Sequence, residues 1–370
     1  MAKDEKPPKL PTPWVKTPLV ESAALSKAAG CRVFLKLENL QPSGSFKSRG
    51  IGNYLLAAIH AHPPRTCIHF YSSSGGNAGL ACVRAATTLG CKASVIVPLS
   101  TKLRMIEKIN LAGADEVIQH GASWKEADQY LREVVIGSGE GRGRKAGGEV
   151  KIYVPPFDHE DIWEGNSTVV DEIAEQLPIF DEKETNIVTT NGTHAAHGDP
   201  PAAILCSVGG GGLFNGVVDG IERRDGWAST PVLAMETDGA HSLAASIEAG
   251  EVVTLPAITS LAKSLGASRV SEQTFKYAST RPNVKSVVLE DWEAALGCLR
   301  LADEDRLMVE LACGVNVAMC FGGRLGKALE RKVRHTDKVV IVLCGGSDVS
   351  IESMVGWRGD YAGKALEVSV

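Results

Sequence analysis

Short apolar runs alternate along the chain with longer segments whose apolar residues recur at helical spacing. The runs have the length and composition of buried strands, and three of them are CRVFLKL (31–37), CIHFYS (67–72) and KASVIVP (92–98). The intervening segments IGNYLLAAIHAH (51–62) and GGNAGLACVRAATTLG (75–90) have the apolar spacing of helices. Gly90 closes the second of these helices.

The same alternation continues towards the carboxyl end. Further strands are predicted at ADEVIQH (114–120), AAILCSV (202–208), TPVLAMET (230–237) and DKVVIVLC (337–344). Further helices are predicted at TKLRMIEKINLAG (101–113), WKEADQYLREVVIG (124–137) and GGGGLFNGVVDGIE (209–222). Strands that alternate with helices are typical of an α/β protein with parallel sheets and crossover helices.

Two polar stretches interrupt this pattern. GSGEGRGRKAGGE (137–149) is rich in glycine and basic residues. It lacks the GK[ST] ending of a P-loop, so it indicates a flexible surface loop. DEKETNIVTTNGTHAAHGDPPA (181–202) indicates a second long loop. Its His194, His197 and Asp199 are types of metal ligand, but a metal site needs a rigid shell, and a loop is therefore favoured.

Composition limits the classes of protein that the chain can be. It has 370 residues, of which 44% are hydrophobic and 22% charged, which is ordinary for one large α/β unit or two domains. A net charge of −5 gives no basic footprint of a nucleic-acid binder. No apolar run reaches the roughly 18 residues of a membrane span, so we expect no membrane partner.

The cysteines and the N-terminal sequence indicate the cellular compartment of the protein. Nine cysteines are scattered without a CxxC pair, which favours reduced thiols over a zinc cluster or disulfides. The start MAKDEKPPKLPTPW has no apolar core of a secretory signal. It contains Asp4 and Glu5 and no arginine, which argues against a mitochondrial presequence. We expect the cytoplasm, with the mitochondrion as the alternative.

One lysine has unusual neighbours. Lys47 lies in SGSFKSRG (43–50), between Phe46 and Ser48 and with glycines close on either side. A lysine kept from bulk water beside an aromatic ring can lose its proton and become a nucleophile. These eight residues alone also fit an ordinary lysine in a loop between two elements.

Three loops that follow predicted strands could hold a ligand. SVGGGGLFNG (207–216) places bare backbone N–H groups at a helix N-terminus, which fits a phosphate cradle or a tight turn. SSSGGNAG (72–79) gathers hydroxyls, N–H groups and an amide, which fits a carboxylate, although Ser74 or Asn77 could be a plain N-cap. LCGGSDVS (343–350) contains Cys344, by itself a buried structural thiol.

Together these features indicate a cofactor. Ligands of open α/β sheets bind at the carboxyl ends of the strands, where all of these loops are predicted to lie. A nucleophilic lysine combined with a phosphate cradle indicates pyridoxal 5′-phosphate (PLP), which enzymes hold as a Schiff base with lysine.

The chain resembles the PLP-dependent enzymes of the tryptophan synthase β-like fold, and among them the L-serine dehydratases. The resemblance runs from about Thr17 to Ile351 and rests on motifs in this order: PSGSFKSRGI, SSSGGNAGLA, PPFDHEDIWEGN, SVGGGGLFNGVV, AMETDGAHS, ITSLAKSLGA and VLCGGSDVS. It implies an α/β fold with two open, twisted, mostly parallel sheets flanked by helices. It also implies a large PLP-binding domain (1–40 and 151–370), a small domain (41–150), and the cofactor in the cleft between them.

The resemblance also implies roles for individual residues. Lys47 would form the Schiff base and act as general base, and burial would lower its pKa for that work. Phe46 would pack beside the cofactor ring, and Cys344 would face the pyridine nitrogen. The other implied contacts are Asn77 with the cofactor 3′-oxygen, Gly209, Gly210, Gly211, Gly212 and Leu213 with its phosphate, and Ser74, Gly75, Gly76 and Asn77 with the substrate carboxylate. A monovalent cation such as K⁺ would lie among Glu236, Ala240, Leu265 and Ala267.

The implied reaction is the PLP-dependent α,β-elimination of L-serine to pyruvate and ammonia, with L-threonine giving 2-oxobutanoate as a second reaction. A homodimer is the family expectation. The roughly 20 residues after Ile351 leave no room for the regulatory domain of biosynthetic threonine deaminases. Departures from the family are Leu311, where relatives have proline, and the two long loops, which are insertions.

Three alternatives remain open at this point. A racemase of the same fold would have a serine at position 75, where this chain has Gly75. A β-replacement synthase is disfavoured by Gly75 together with Cys344. A PLP-binding protein without turnover would keep the same three loops, but Lys47 and Asn77 favour an enzyme.

Overall fold

The computed structural model describes residues 10–137, 142–144, 148–178 and 199–365. They form an α/β protein with two mostly parallel sheets and flanking helices, which confirms the predicted fold class. The chain divides into a first unit from residues 1–15 and 47–165 and a second unit from 16–46 and 166–370. The first unit starts six residues after the predicted start of the small domain, 41–150, and ends 15 residues after its predicted end. It also includes residues 1–15, which were predicted to belong to the large domain.

The first unit contains a five-stranded sheet. Its strands are β3 (Ile68–Ser72), β4 (Lys92–Val97), β5 (Glu116–Gln119), β6 (Arg142–Arg144) and β7 (Val150–Tyr153), and they lie in the order β5-β4-β3-β7-β6. Pairing is parallel except between β6 and β7. Central β3 is buried along its whole length, which explains its continuous apolar sequence.

Helices flank this sheet on the first unit. They are α2 (Lys47–His60), α3 (Asn77–Thr88), α4 (Leu103–Leu111) and α5 (Trp124–Tyr130), the last continued by a π-helical turn (Leu131–Ile136). The buried side of α3 is built largely from alanine and glycine, and small side chains allow α2 and α3 to pack closely. Helix α6 (Glu160–Gln176) starts in the first unit and continues in the second.

The second unit contains a six-stranded sheet. Its strands are β1 (Leu19–Glu21), β2 (Arg32–Lys36), β8 (Ala203–Ser207), β9 (Val232–Thr237), β10 (Val284–Leu289) and β11 (Lys338–Val342), and they lie in the order β1-β2-β11-β8-β9-β10. Only the edge strand β1 pairs antiparallel. Central strands β8 and β9 are fully buried, as their apolar runs predict.

The remaining helices belong to the second unit. They are α1 (Ala23–Ala29), α7 (Gly212–Glu222), α8 (Ser242–Ala249), α9 (Glu272–Thr280), α10 (Asp291–Arg300), α11 (Leu311–Ala318), α12 (Arg324–Ala328) and α13 (Ile351–Asp360). Helices α10 and α11 approach closely through two glycines. A Cβ on Gly297 would lie 2.2 Å from the carbonyl oxygen of Gly314, and one on Gly314 2.0 Å from that of Ala294. This contact fixes α11 against α10.

Several expectations need correction or lie outside the described residues. The stretch 137–149 is not wholly a loop, because β6 pairs within it; residues 138–141 and 145–147 lie outside the described part. The loop predicted at 181–202, with His194 and His197, lies outside it up to residue 198. All nine cysteines are free thiols, as predicted. Among the described residues, every helix is too short or too polar to cross a membrane.

Candidate active site

Lys47 is the first residue of helix α2, and the interpretation of its position as a loop is therefore wrong. The helix starts four residues before the predicted apolar segment because Ser48, Arg49 and Gly50 are themselves buried. Lys47 is half-buried, and its Nζ donates a hydrogen bond of 2.5 Å to the carbonyl of Pro156. This bond fixes the direction of the amine within the first unit.

Residues of the PPFDHEDIWEGN motif hold that carbonyl in place. Trp163 Nε1 donates to the carbonyl of Phe157 at 2.9 Å, and Asn53 of α2 donates to the carbonyl of Asp161 at 2.8 Å. A Cβ at Gly165 would lie 2.4 Å from the carbonyl of Arg49. The segment is therefore tied to α2 at two points. The motif is visible in the sequence, but the contact of its Pro156 with Lys47 is not, because the two residues lie 109 positions apart.

The predicted carboxylate loop follows β3 and leads into α3. Ser74, Gly75, Gly76 and Asn77 are all half-buried, and Asn77 is the first residue of the helix. The backbone N–H of Gly76 donates to Ser74 Oγ at 3.3 Å within the loop. The N-cap residue of α3, Gly76, provides no side-chain cap. The loop thus presents hydroxyl and N–H groups at a helix N-terminus, where a carboxylate is stabilised.

Glycine is required at two positions of this loop. A Cβ on Gly79 would lie 1.8 Å from the carbonyl oxygen of Ser74. A Cβ on Gly75 would lie 2.7 Å from Cγ2 and 2.9 Å from Oγ1 of Thr101. The Thr101 side chain therefore occupies the space that a larger residue at position 75 would need.

The predicted phosphate loop lies in the second unit, between β8 and α7. Gly211 is the N-cap of α7, has a left-handed backbone (φ 99°) and provides no side-chain cap. A Cβ there would lie 1.7 Å from Thr274 Oγ1, and one on Gly209 would lie 3.4 Å from Leu265 Cα. The glycines thus form a tight loop that leaves the first N–H groups of α7 without a side-chain cap.

Side chains below this loop keep its shape. Thr274 Oγ1 donates to Asn215 Oδ1 at 2.9 Å, and Asn215 Nδ2 donates to Ser271 Oγ at 3.2 Å. The N–H of Ser271 donates to the carbonyl of Gly210 at 3.1 Å. These buried bonds connect α7 to α9, and the bond from Ser271 holds the backbone of the glycine loop at Gly210. None of these three side chains was singled out from the sequence, because Asn215 lies 56 and 59 residues before Ser271 and Thr274.

Cys344 lies just after β11 and is buried. Its Sγ is 3.0 Å from Cys313 Sγ on α11 and 3.8 Å from Ser207 Oγ at the end of β8. Its carbonyl accepts a hydrogen bond of 3.0 Å from the N–H of Phe46. Phe46 is half-buried and packs on the apolar core of the second unit. Phe46 is thus bonded to Cys344, and Cys344 lies next to Ser207 at the end of the strand that precedes the glycine loop.

The residues of the predicted cation site also lie in the second unit. Glu236 is buried in β9, and burial raises the pKa of its carboxyl to about 7. Its two oxygens accept hydrogen bonds from the N–H groups of Leu243 and Ala244 at the start of α8, at 2.8 and 2.9 Å. Ala240 and Leu265 are buried, and Ala267 is half-buried. Within the described residues, no cluster of three or more His, Cys, Asp or Glu side chains could hold a metal.

The glycine loop fits the phosphate of PLP. The loop after β8 has no side chain in the way, and its uncapped N–H groups and the dipole of α7 favour an anion. In the first unit, Lys47 has the amine that PLP requires.

The sequence matches the protein family described as pyridoxal-phosphate dependent enzyme over residues 11–345. This match covers most of the chain, and the protein therefore belongs to the family of pyridoxal-phosphate dependent enzymes. Its cofactor is PLP, which confirms the inference from the lysine and the glycine loop.

The similar proteins are more specific. An L-serine dehydratase of Saccharomyces cerevisiae (strain AWRI1631) is 41% identical over 349 residues, which cover 93% of this chain and 96% of that protein. A catabolic L-serine/threonine dehydratase of Saccharomyces cerevisiae (strain ATCC 204508 / S288c) is 40% identical over 344 residues, which cover 92% of this chain and 89% of that protein. The crystal structure of a fungal L-serine ammonia-lyase from Rhizomucor miehei has a TM-score of 0.80 at 34% identity, covering 94% of this chain and 99% of that one. The predicted resemblance to L-serine dehydratases is confirmed.

Proposed function

We propose that this protein is an L-serine dehydratase, which eliminates water from L-serine and releases pyruvate and ammonia after hydrolysis. The observation that carries the proposal is 41% identity to an L-serine dehydratase over 93% of the chain. L-Threonine is the proposed second substrate, since one similar protein is named for both amino acids. One additional methyl group changes discrimination by only about 1–3 kcal/mol.

Each unit contains residues with a proposed role towards the cofactor or the substrate. In the second unit, Gly209 to Gly212 and Leu213 bind the cofactor phosphate, Phe46 packs beside the ring, and Cys344 faces the pyridine nitrogen. In the first unit, Lys47 carries the cofactor and Asn77 bonds its 3′-oxygen. These roles agree with the uncapped N-terminus of α7 and with the burial of Cys344.

PLP, when bound, supplies an electron sink that makes the Cα–H bond of an amino acid acidic. The chain then has two tasks. Ser74, Gly75, Gly76 and Asn77 hold the substrate carboxylate and so fix the direction of the Cα–H bond. Lys47 Nζ, once the substrate amine has replaced it on the cofactor, takes the Cα proton as a neutral amine. Without the cofactor, the same atom donates a hydrogen bond to the carbonyl of Pro156.

Elimination is favoured over racemisation by the surroundings of Gly75. Racemisation needs a second acid or base on the face of the substrate opposite the lysine. Gly75 has no side chain to act there, and the Thr101 side chain fills the adjacent space. We therefore expect the β-hydroxyl to leave as water, rather than a proton to return to Cα on the opposite face.

The test is made on purified protein with its cofactor. Pyruvate release from L-serine is measured together with the visible absorbance of the lysine-bound cofactor. We expect both in the wild-type protein and a loss of pyruvate release of about 10³-fold or more in Lys47→Ala. An absorbance band without pyruvate from L-serine, or D-serine as the product, would contradict the proposal.

A monovalent cation, K⁺, is proposed beside Glu236, with carbonyls of Ala240, Leu265 and Ala267 as further ligands. The fully buried carboxylate supports it, because a buried charge needs compensation. We expect the melting temperature to rise when KCl replaces tetramethylammonium chloride at equal ionic strength. The same rise in Glu236→Gln would contradict this site.

A cytoplasmic homodimer is the proposed state of the protein. Nine free cysteines suit a reducing compartment. Light scattering on the purified protein and fractionation of cells test the two parts separately, and a monomer or an organelle-bound protein would contradict them.

A further inference from the structure

One buried carboxylate in the first unit joins three elements at the end of the sheet. Asp128 lies in helix α5 and is 9% exposed. Its Oδ1 accepts hydrogen bonds from Ser73 Oγ at 2.6 Å and from Tyr153 OH at 2.7 Å. Its Oδ2 accepts one from Arg132 Nε at 2.7 Å. The carboxylate therefore has three short bonds to donors from β7, from the turn that follows α5, and from the chain after β3.

The charge of Asp128 is balanced locally. Arg132 is one helical turn further along and forms an ion pair with it. The guanidinium of Arg132 also lies 3.9 Å from the centre of the Tyr153 ring. Burial, followed by the negative charge of Asp128, raises the pKa of Tyr153, so its hydroxyl remains a donor at neutral pH. A charged and fully bonded carboxylate is a stable anchor, since bonds to a charged acceptor are stronger than neutral ones.

The Asp128 carboxylate is bonded to a residue next to the predicted carboxylate loop. Ser73 is buried and follows directly after the last residue of β3. The next residue is Ser74, the first of the four loop residues that would hold the substrate carboxylate. The Ser73 hydroxyl thus ties the start of this loop to helix α5, while the other end of the loop is tied by entry into α3.

We propose that Asp128 is a positioning residue for the binding of the substrate carboxylate. It holds Ser73, and through Ser73 it holds the backbone of Ser74 to Asn77 in the arrangement that receives a carboxylate. The inference rests on the proposed function of that loop. It predicts that loss of the bond weakens the binding of ligands with a carboxylate more than the binding of ligands without one.

The test uses the protein with its cofactor and two non-reacting amines. L-Alanine has an α-carboxylate, and ethylamine is the same molecule without it. Each is titrated into wild-type protein, Ser73→Ala and Asp128→Asn while the absorbance of the bound cofactor is followed. We expect affinity for L-alanine to fall about tenfold in both variants, as for loss of a bond to a buried charge, with little change for ethylamine.

A matched control separates positioning from general damage to helix α5. Ser123 is the N-cap of α5, and its Oγ accepts a hydrogen bond from the N–H of Glu126 at 3.3 Å. Ser123→Ala weakens the same helix without touching the Asp128 carboxylate. It should lower the melting temperature and leave the ratio of the two affinities as in wild-type protein.

Two results would overturn the inference. One is an equal fall in affinity for L-alanine and ethylamine in Ser73→Ala, and the other is an unchanged affinity for L-alanine. These titrations require no elimination, so they test the role of Asp128 even if the protein fails to release pyruvate from L-serine. That failure would contradict the proposed function and leave the role of Asp128 decided by the two affinities.

Discussion

The thiols of Cys313 and Cys344 lie 3.0 Å apart at the carboxyl end of the second-unit sheet. The N–H of Gly345 donates to Cys313 Sγ at 3.1 Å, which holds α11 against the turn that follows β11. Burial raises the pKa of Cys313 well above its usual value, so this thiol is neutral at physiological pH. The proposed pyridine end of the cofactor site is therefore lined by the sulfur atoms of two cysteines, of which Cys313 is a neutral thiol.

This arrangement predicts that Cys344 tunes the cofactor and does not retain it. Cys344→Ala removes a weak donor and leaves the phosphate loop intact, so we expect PLP to stay bound. The affinity of the apoprotein for PLP, measured by fluorescence, should change less than about tenfold, as for loss of one weak neutral bond. Cys298→Ala is the control, since this buried thiol bonds the carbonyl of Glu310. Complete loss of PLP in Cys344→Ala alone would contradict the tuning role.

The phosphate loop predicts a stronger effect at Gly211. Gly211→Ala puts a Cβ at a left-handed backbone position and 1.7 Å from Thr274 Oγ1, which must move. We expect PLP affinity to fall by about 100-fold or more, because the N–H groups of α7 lose their alignment with the phosphate. Equilibrium dialysis of the apoprotein with PLP measures this change.

A matched variant isolates the cause. Gly226 has the same kind of backbone (φ 79°), and the space that its Cβ would occupy is open to a radius of 4 Å. Gly226→Ala should lower the melting temperature slightly and leave PLP affinity unchanged. Equal PLP affinities in the two variants would show that the glycine loop does not hold the phosphate.

Gly75 predicts a steric result that a second substitution should reverse. Gly75→Ala brings a methyl group to within 2.7 Å of Thr101 Cγ2, so the loop has to shift. We expect KM for L-serine to rise about tenfold with a smaller change in kcat, since carboxylate binding is affected first. Thr101→Ala removes the two closest contacts and leaves only Val97 Cγ1 at 3.2 Å, so the KM of the double variant should return most of the way to the wild-type value. A KM that stays high in the double variant would contradict the steric explanation.

The sequence predicted best what depends on neighbouring residues. The glycine loop before α7 and the small residues before α3 carry their function in consecutive positions, and the buried strands have continuous apolar runs. Strand β10, VKSVVL, was missed because it is half-exposed and has no such run. Leu311, the departure from proline, lies at the first position of α11, where either residue suits a helix start.

Contacts between distant residues could not be predicted in this way. Asp128 meets Ser73 across 55 positions and Tyr153 across 25, and only folding brings them together. The bond from Lys47 to Pro156 joins residues 109 positions apart. In both cases the sequence shows a common polar residue, and its role depends on which backbone lies next to it.

His69 predicts a pH dependence of stability. It is buried in the first unit, where Nε2 lies 2.9 Å from Ser94 Oγ and Nδ1 lies 3.2 Å from Glu149 Oε1 and 3.1 Å from Tyr71 OH. Burial lowers the pKa of His69 below its usual 6.5, although Glu149 and Asp115 act in the opposite direction and Lys92 assists. The neutral ring is therefore the form that the folded protein prefers.

The sign of the effect follows from the lowered pKa. Below about pH 6.5 the histidine of the unfolded chain takes up a proton that the folded protein resists, so the free energy of unfolding falls as the pH decreases. Urea unfolding at pH 7.5 and 5.5 measures this, and His69→Gln should show a smaller loss between the two values than wild-type protein. His60→Gln, at an exposed position in the last turn of α2, should keep the wild-type loss. An unchanged loss in His69→Gln would mean that other groups cause the acid sensitivity.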